Sequence, residues 1–352
     1  MSYSPKLLLT GASGFIGSRL ALRARAQSHD FIAIGMANTP AEKVRISELA
    51  AAGIEVRLGS LKDAEFLAEV TRGVDAVIHL AAAQHETSVP ESYFLDVNVE
   101  GTRALLEASL QAGVRRFVYG STIGVYGAAH AGALDEHSKL MPDNAYGRSK
   151  VQAVELVRRY ADRIETTIIR ISETYGPGDY RLLKLFDAVG RGVFMMIGSG
   201  QNRRQPIHVD DLGRGLLLAA YHPVARGETF VLAGPVAMTT REMVSSIRAA
   251  LGRTGSDKRL PLWPLMTLAT LMEGALRPFG IAPPIHRRRL DFFVKSFHFD
   301  TRKAQNLLGF EPQIPFDKGA LETAHWYAAQ GLLGTARLKL AQPRPDTDLR
   351  TV

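Results

Sequence analysis

The feature that most constrains this chain is Leu9-Thr10-Gly11-Ala12-Ser13-Gly14-Phe15-Ile16-Gly17-Ser18, three evenly spaced glycines between an apolar run and a helical pattern. Gly11 permits a tight turn, Gly14 lets the backbone approach a pyrophosphate, and Gly17 allows a helix to pack closely on the preceding strand. A helix starting there would offer unpaired N–H groups and the positive end of its dipole to phosphate. Glycine-rich turns are common, so position decides. This one follows a strand and opens a strand–helix–strand unit near the start of the chain, which points to dinucleotide binding.

The first 170 or so residues alternate short apolar runs with longer helical patterns. Segments 6–10, 31–35, 56–58, 76–80, 116–120 and 166–171 read as strands, with helices near 16–27, 41–52, 63–72, 91–112 and 145–162. The strands are near-continuously apolar, as parallel strands covered on both faces are. The expected fold class is α/β, a Rossmann-type doubly wound parallel sheet with a smaller C-terminal substrate lobe. Length, at 352 residues, suits about two domains. We expect a dinucleotide-binding domain over 1–172, its sheet completed by segments near 204–235. A substrate-binding lobe should follow over 173–335, with a disordered tail over 336–352. The boundary is marked by the turn chemistry of Tyr175-Gly176-Pro177-Gly178-Asp179. Helices are expected at 210–221, with an aspartate of His208-Val209-Asp210-Asp211 as N-cap, and at 240–251.

The absence of cysteine excludes a disulfide scaffold, thiolate metal sites and cysteine nucleophiles. No His/Asp/Glu cluster has metal-site spacing. The start of the chain lacks a signal-peptide pattern, and the apolar stretch over 262–282 is interrupted by Pro264, Glu273, Arg277 and Pro278. A cytoplasmic protein is expected. Net charge is +8. Nucleic acid is not the expected partner, because no basic-aromatic strip or recognised motif is present. The charge then has three candidate sources: a cofactor phosphate, a substrate diphosphate, or an anionic membrane surface.

Dinucleotide folds that use NAD normally carry a carboxylate about 20 residues after the loop, where it holds the adenosine ribose hydroxyls. Here the second strand ends Ile34-Gly35-Met36-Ala37-Asn38-Thr39-Pro40, with no acid before Glu42. Arg19, Arg23, Lys43 and Arg45 are close enough in sequence to meet a 2′-phosphate. The cofactor is therefore NAD or NADP, with NADP slightly favoured, although Asn38 could serve a hydroxyl.

Tyr146-Gly147-Arg148-Ser149-Lys150 puts a phenol and an ammonium one helical turn apart. A tyrosine of ordinary pKa, about 10, is a poor base at neutral pH, and a nearby ammonium favours the phenolate that can take a hydroxyl proton. Spacing alone means little, since Tyr180 and Lys184 repeat it. Context separates the pairs. The helix of Tyr146 follows a strand ending in Gly120-Ser121-Thr122, whose hydroxyl lies at the carboxyl edge of the sheet, where ligands bind in this architecture.

These motifs, with Gly59-Ser60-Leu61-Lys62-Asp63, His79-Leu80-Ala81-Ala82-Ala83, Asp96-Val97-Asn98-Val99-Glu100-Gly101-Thr102, Val125-Tyr126-Gly127, Arg170 and Pro206-Ile207-His208-Val209-Asp210, resemble the extended short-chain dehydrogenase/reductases of the NAD-dependent epimerase/dehydratase family. The resemblance spans residues 8 to about 327. It implies Tyr146 as acid/base, Lys150 as the group that holds the nicotinamide ribose and lowers the tyrosine pKa, and Thr122 as the hydroxyl on the reacting oxygen. Cofactor contacts would come from Gly11, Ser13, Gly14, Phe15, Ile16, Gly17, Ser60, Leu61, Ala81 and Ala82, with Asn98 behind the pocket. Ser60 departs from the family's usual aspartate.

The resemblance leaves the substrate between two branches. A 3β-hydroxysteroid dehydrogenase-like branch implies a one-way NAD(P)-dependent oxidoreductase on a secondary alcohol or ketone, with a lipid-like (steroid- or isoprenoid-type) substrate. The apolar stretch beginning Pro261-Leu262-Trp263-Pro264, followed by Phe279, His286-Arg287-Arg288-Arg289 and Phe292-Phe293, fits that reading and a peripheral membrane contact. A nucleotide-sugar (UDP-sugar) 4-epimerase is the alternative, with Arg204 on the substrate diphosphate. Glu173, where such enzymes commonly have asparagine, argues against it by charge. Tyr126 would be structural or substrate-facing. Dehydration is disfavoured because Ile123-Gly124, not Asp-Glu, follows Thr122. A non-catalytic cofactor-binding regulator would not need to keep Thr122, Tyr146 and Lys150. The expected partner is a small-molecule substrate, with a homodimer left open.

Overall fold

Seven parallel strands organise the N-terminal part of the chain. The computed structural model describes residues 5–84, 89–127, 132–255, 258–276, 287–334 and 340, with the side chains of 287–289 not among them. The strands β1 (Leu7–Thr10), β2 (Phe31–Gly35), β3 (Val56–Leu58), β4 (Ala76–His79), β5 (Arg116–Thr122) and β6 (Glu165–Ile171) are joined by a last strand, Thr229–Leu232. Their spatial order is Thr229–Leu232, β6, β5, β4, β1, β2, β3. All pairings are parallel; Leu9, for example, faces Ala33 on one side and Ile78 on the other.

The helices between these strands are α1 (Phe15–Ala26), α2 (Pro40–Ala51), α3 (Ala64–Thr71), α4 (Glu91–Leu95), α5 (Gly101–Gln111) and α6 (Ala145–Arg159). Alternation along β1 explains why its apolar run is unbroken. Leu7 and Leu9 pack on one face with Leu20 and Ala24 of α1 and with Leu212 and Leu216 of helix Val209–Tyr221. Leu8 packs on the other with Leu67, Leu105, Val154 and Val157. Both faces are covered, so polar alternation would place unpaired groups in the core.

The chain divides into two units. The first takes in Met1–Thr174, Pro206–Pro235 and Phe299–Gln313; the second takes in Tyr175–Gln205, Val236–His298 and Ile314–Val352. The second has its own core, with Phe186, Met243, Ile247, Phe316 and Tyr327 among its members. Tyr180, whose spacing to Lys184 repeats that of Tyr146 to Lys150, packs edge-on against Trp326 there. The expected tail over 336–352, apart from residue 340, together with Phe279, His286 and the side chains of Arg287–Arg289, lies outside the described residues.

The fifth strand runs to Thr122, with Ser121 and Thr122 on the sheet as its Gly120-Ser121-Thr122 ending implied. Two local expectations are revised. The helix expected over 91–112 is broken by a π-helical turn, Asp96–Glu100. The N-cap of helix Val209–Tyr221 is His208, whose ring accepts from the Asp210 N–H. Asp210 and Asp211 sit in the first turn, where negative charge suits the dipole.

Candidate active site

Strand order reverses at β1, which lies between β2 and β4, and a crevice opens beyond the carboxyl ends of the strands at such a switch. Gly11 turns there at φ +72°, and a Cβ on it would meet the Ala81 backbone nitrogen at 2.8 Å. A Cβ on Gly17 would come within 2.1 Å of the Gly11 carbonyl oxygen, so α1 can reach β1 only with glycine there. The N-cap of α1 is Gly14, with no side-chain cap and no acid in the first turn. Neither the cap nor the first turn of that helix therefore sets an anion against its positive end.

A cleft of about 240 Å³ lies here. Gly11, Ser13 and Gly14 line it, with Met36, Asn38 and Glu42 at the end of β2 and start of α2, Ser60, Leu61 and Lys62 after β3, Ala81, Ala82 and Ala83 after β4, and Tyr93 and Asp96. Most of the sequence-predicted cofactor residues meet in this cleft. Phe15, Ile16 and Gly17 open α1 beside it, and Asn98 and Lys150 are set behind and beyond. The glycine cradle and the uncapped helix end fit a dinucleotide phosphate bridge.

Sequence reasoning missed the network that holds this cleft in shape. The Thr10 hydroxyl oxygen accepts from the N–H groups of Leu80 (3.1 Å) and Ala81 (3.2 Å). Its hydrogen is then directed to His79 Nδ1 at 2.7 Å, and His79 Nε2 lies 3.0 Å from the Thr102 hydroxyl, which donates to the Asn98 carbonyl. Burial, with the charge of Lys150 second, pushes His79 down to about 3, so the ring is neutral. The Asn98 side chain continues the chain. It accepts from Ala83 N–H at 2.8 Å and donates to the Ala83 carbonyl (3.0 Å) and Ser149 Oγ (2.9 Å); Ser149 donates to the Tyr146 carbonyl. The glycine loop and the tyrosine helix are thus joined by hydrogen bonds through the π-helical turn. His79 and Thr102 fall inside quoted motifs, but nothing in the spacing shows that they touch.

Asn144 caps α6 by accepting from the Gly147 N–H at 2.9 Å, so Tyr146 stands in its first turn. Tyr146 is half-buried beside Gly124. Lys150 is 2% exposed, donates to the Gly120 carbonyl at 2.7 Å and lies 4.2 Å from the centre of the Tyr119 ring. Burial lowers its pKa to about 7. Thr122 closes β5 and its hydroxyl oxygen accepts from Gly124 N–H at 3.1 Å. Thr122, Tyr146 and Lys150 all belong to the first unit.

The expected substrate residues fare differently. Tyr126 is fully buried; it donates to the Asp135 carbonyl at 2.6 Å and accepts from Arg170 at 2.8 Å. Arg204, in the second unit, is 4% exposed, stacks 4.3 Å over the Phe292 ring and donates to the Phe292 carbonyl and Thr240 hydroxyl. Its guanidinium is engaged by protein groups, so a diphosphate would have to displace them. Glu173 is half-buried just beyond β6, its carbonyl accepting from Ile207 N–H.

The cations that favoured NADP are also partly committed. Arg19 makes a two-pronged bond to Asp210 at 3.0 Å, Arg23 packs beside Gly213 with its pKa lowered by burial, and Arg45 reaches the Ser13 carbonyl. Lys43 is exposed.

The model of the NAD dependent epimerase/dehydratase family matches residues 7–233. The chain belongs to the NAD-dependent epimerase/dehydratase family. It is an NAD-dependent enzyme of the extended short-chain type. Among its relatives is the N-acetyl-alpha-D-glucosaminyl-diphospho-ditrans,octacis-undecaprenol 4-epimerase of Escherichia coli O157:H7, 30% identical, the alignment covering 91% of this chain and 94% of that one. A dTDP-glucose 4,6-dehydratase of Streptomyces antibioticus is 29% identical, with 91% and 92% covered. Among solved structures, the dTDP-glucose 4,6-dehydratase DesIV of Streptomyces venezuelae, with NAD bound, superposes at a TM-score of 0.74, with 28% identity and 94% and 99% of the two chains covered. Among the described residues of this family member no helix is long and apolar enough to cross a membrane, and no cluster could hold a metal ion.

Proposed function

We propose that this enzyme is an NAD-dependent 4-epimerase acting on a sugar carried by a diphosphate. The observation that carries the reading is the Thr122–Tyr146–Lys150 set, a set suited to hydride transfer in which Thr122 is followed by Ile123-Gly124 and not by an acid pair. Elimination of water needs such a pair, whereas epimerisation needs only that a ketone turn over before hydride returns. Relatives named as 4-epimerases and sugar dehydratases support a sugar diphosphate over a steroid.

Bound nicotinamide would supply the hydride acceptor and donor. Tyr146 would take the proton of the substrate hydroxyl and later return it. Lys150, when protonated, stabilises the phenolate. Thr122 uses an oxygen lone pair for Gly124 N–H, so its O–H hydrogen remains to orient the reacting oxygen. The glycine cradle and the α1 terminus would hold the cofactor phosphates. Glu42 in the cleft, with Arg19 committed to Asp210, supports NAD over the NADP lean of the sequence, because a carboxylate accepts from a ribose hydroxyl and repels a phosphate.

The test is incubation with NAD and UDP-, dTDP- and polyprenyl-diphosphate-linked sugars, with products resolved by NMR. The expected result is a 4-epimer with no net change in nicotinamide absorbance. Stoichiometric reduced cofactor would establish the one-way dehydrogenase instead, and a 4-keto-6-deoxy product would establish dehydration.

A further inference from the structure

Helix Leu262–Leu276 of the second unit turns an uncharged face outward. Trp263 is 73% exposed, Leu271 66% and Leu268 43%, and Thr267, Thr270, Gly274 and Ala275 complete that face. Both threonines fold back, donating to the carbonyls of Trp263 (3.0 Å) and Met266 (2.9 Å), so their hydroxyl hydrogens are satisfied within the helix. The helix's single charged residue, Glu273, is buried with Ala269 on the opposite side. A helix facing water ordinarily reverses this arrangement, with charge outward and apolar groups inward.

The sequence around this helix is one-sided in charge. Lys258 and Arg259 are exposed just before the helix. The sequence from 258 to 295 holds seven Lys or Arg against two acids, and so contributes five of the chain's eight net positive charges. One of the two acids is the buried Glu273, and the other, Asp291, is paired with Lys295 at 3.0 Å. At 15 residues the helix is about 22 Å long, too short to span a hydrocarbon core of about 30 Å. It is long enough to lie along one.

We propose that helix Leu262–Leu276 seats this protein on an anionic lipid bilayer. Trp263, Leu268 and Leu271 enter the headgroup boundary, and Lys258 and Arg259 meet lipid phosphates. Tryptophan favours that depth, and basic residues at the surface add attraction to anionic lipid. A second copy of the chain fits the face less well. A symmetric contact through this face would bring Lys258 and Arg259 of the two copies toward each other, like charge on like, whereas an anionic surface neutralises them. The inference does not depend on which substrate is turned over.

The experiment is co-sedimentation of the full chain with vesicles of phosphatidylcholine alone and of an equal mixture with phosphatidylglycerol. Binding is expected to the mixture only, and to fall as salt is raised. Trp263→Ser with Leu271→Ser should weaken it at least tenfold. Lys258→Gln and Arg259→Gln should each weaken it by about fivefold, the value of one basic residue at such a surface. Unchanged circular dichroism and thermal midpoint would show that the exposed substitutions leave the fold intact. Equal binding to both vesicles, or binding untouched by the Trp263/Leu271 pair, overturns the proposal. So does a wild-type dimer in sedimentation velocity that the same pair converts to monomer while neither binds vesicles, which would assign the face to a second copy.

Discussion

Lys150 donates to the carbonyl oxygen of Gly120 at 2.7 Å, and this contact fixes α6 against the carboxyl end of β5. Gly120 has no room for a side chain, since a Cβ there would meet Leu80 at 2.7 Å and the His79 carbonyl at 3.1 Å. The ammonium therefore sits behind the Ser121-Thr122 edge with little water, which is why its pKa falls from 10.5 to about 7.

That shift has a thermodynamic sign. Between pH 7 and 10.5 the unfolded chain keeps the Lys150 proton that the folded chain has released, so this residue's contribution makes stability rise with pH there. Below pH 7 the contribution is flat and unfavourable. The difference in unfolding free energy between wild type and Lys150→Met should change in favour of wild type by up to about 1.4 kcal/mol per pH unit across that window. Urea unfolding at three pH values measures it; a difference independent of pH would contradict the burial argument.

Tyr146→Phe removes the only atom assigned to proton transfer and little else. Turnover should fall by about two to four orders of magnitude. Titration of NAD by calorimetry should give an affinity within about threefold of wild type, since lost turnover with retained binding marks an interaction made chiefly in the transition state.

Asn98→Ala cuts the bridge between Ala83 and Ser149 and leaves buried partners unpaired. Destabilisation of about 1–3 kcal/mol is expected from the groups stranded at Ala83. Weaker NAD binding should accompany it, read by calorimetry beside urea denaturation.

Of the loop glycines, Gly17→Ala should be far worse than Gly14→Ala. The added Cβ would lie 2.1 Å from the Gly11 carbonyl oxygen in the first case and 3.1 Å in the second. The ranking is checked by thermal midpoint and NAD titration of the two variants side by side.

Glu42→Gln keeps the capping contact with Thr39 but removes the charge. NAD affinity should drop by about tenfold and the preference over NADP should narrow, on the scale of a hydrogen bond to a charged group. Parallel titrations with the two cofactors decide it.

The sequence by itself determined the parallel sheet and the glycine loop after its first strand, and it singled out the trio proposed here as catalytic. Each of these rests on local chemistry: a strand buried on both faces must be apolar throughout, and a helix can approach a strand as closely as α1 does only through glycine. What only the tertiary structure decided are the contacts between distant segments. Spacing could not show that Arg204 stacks on Phe292, that Arg19 is held by Asp210, or that His79 passes a hydrogen-bond chain from Thr10 to Asn98. The outward face of helix Leu262–Leu276 was equally hidden, because an apolar run reads the same whether it faces a core or a solvent. Periodicity reports which residues share a side, and only packing reports what that side meets.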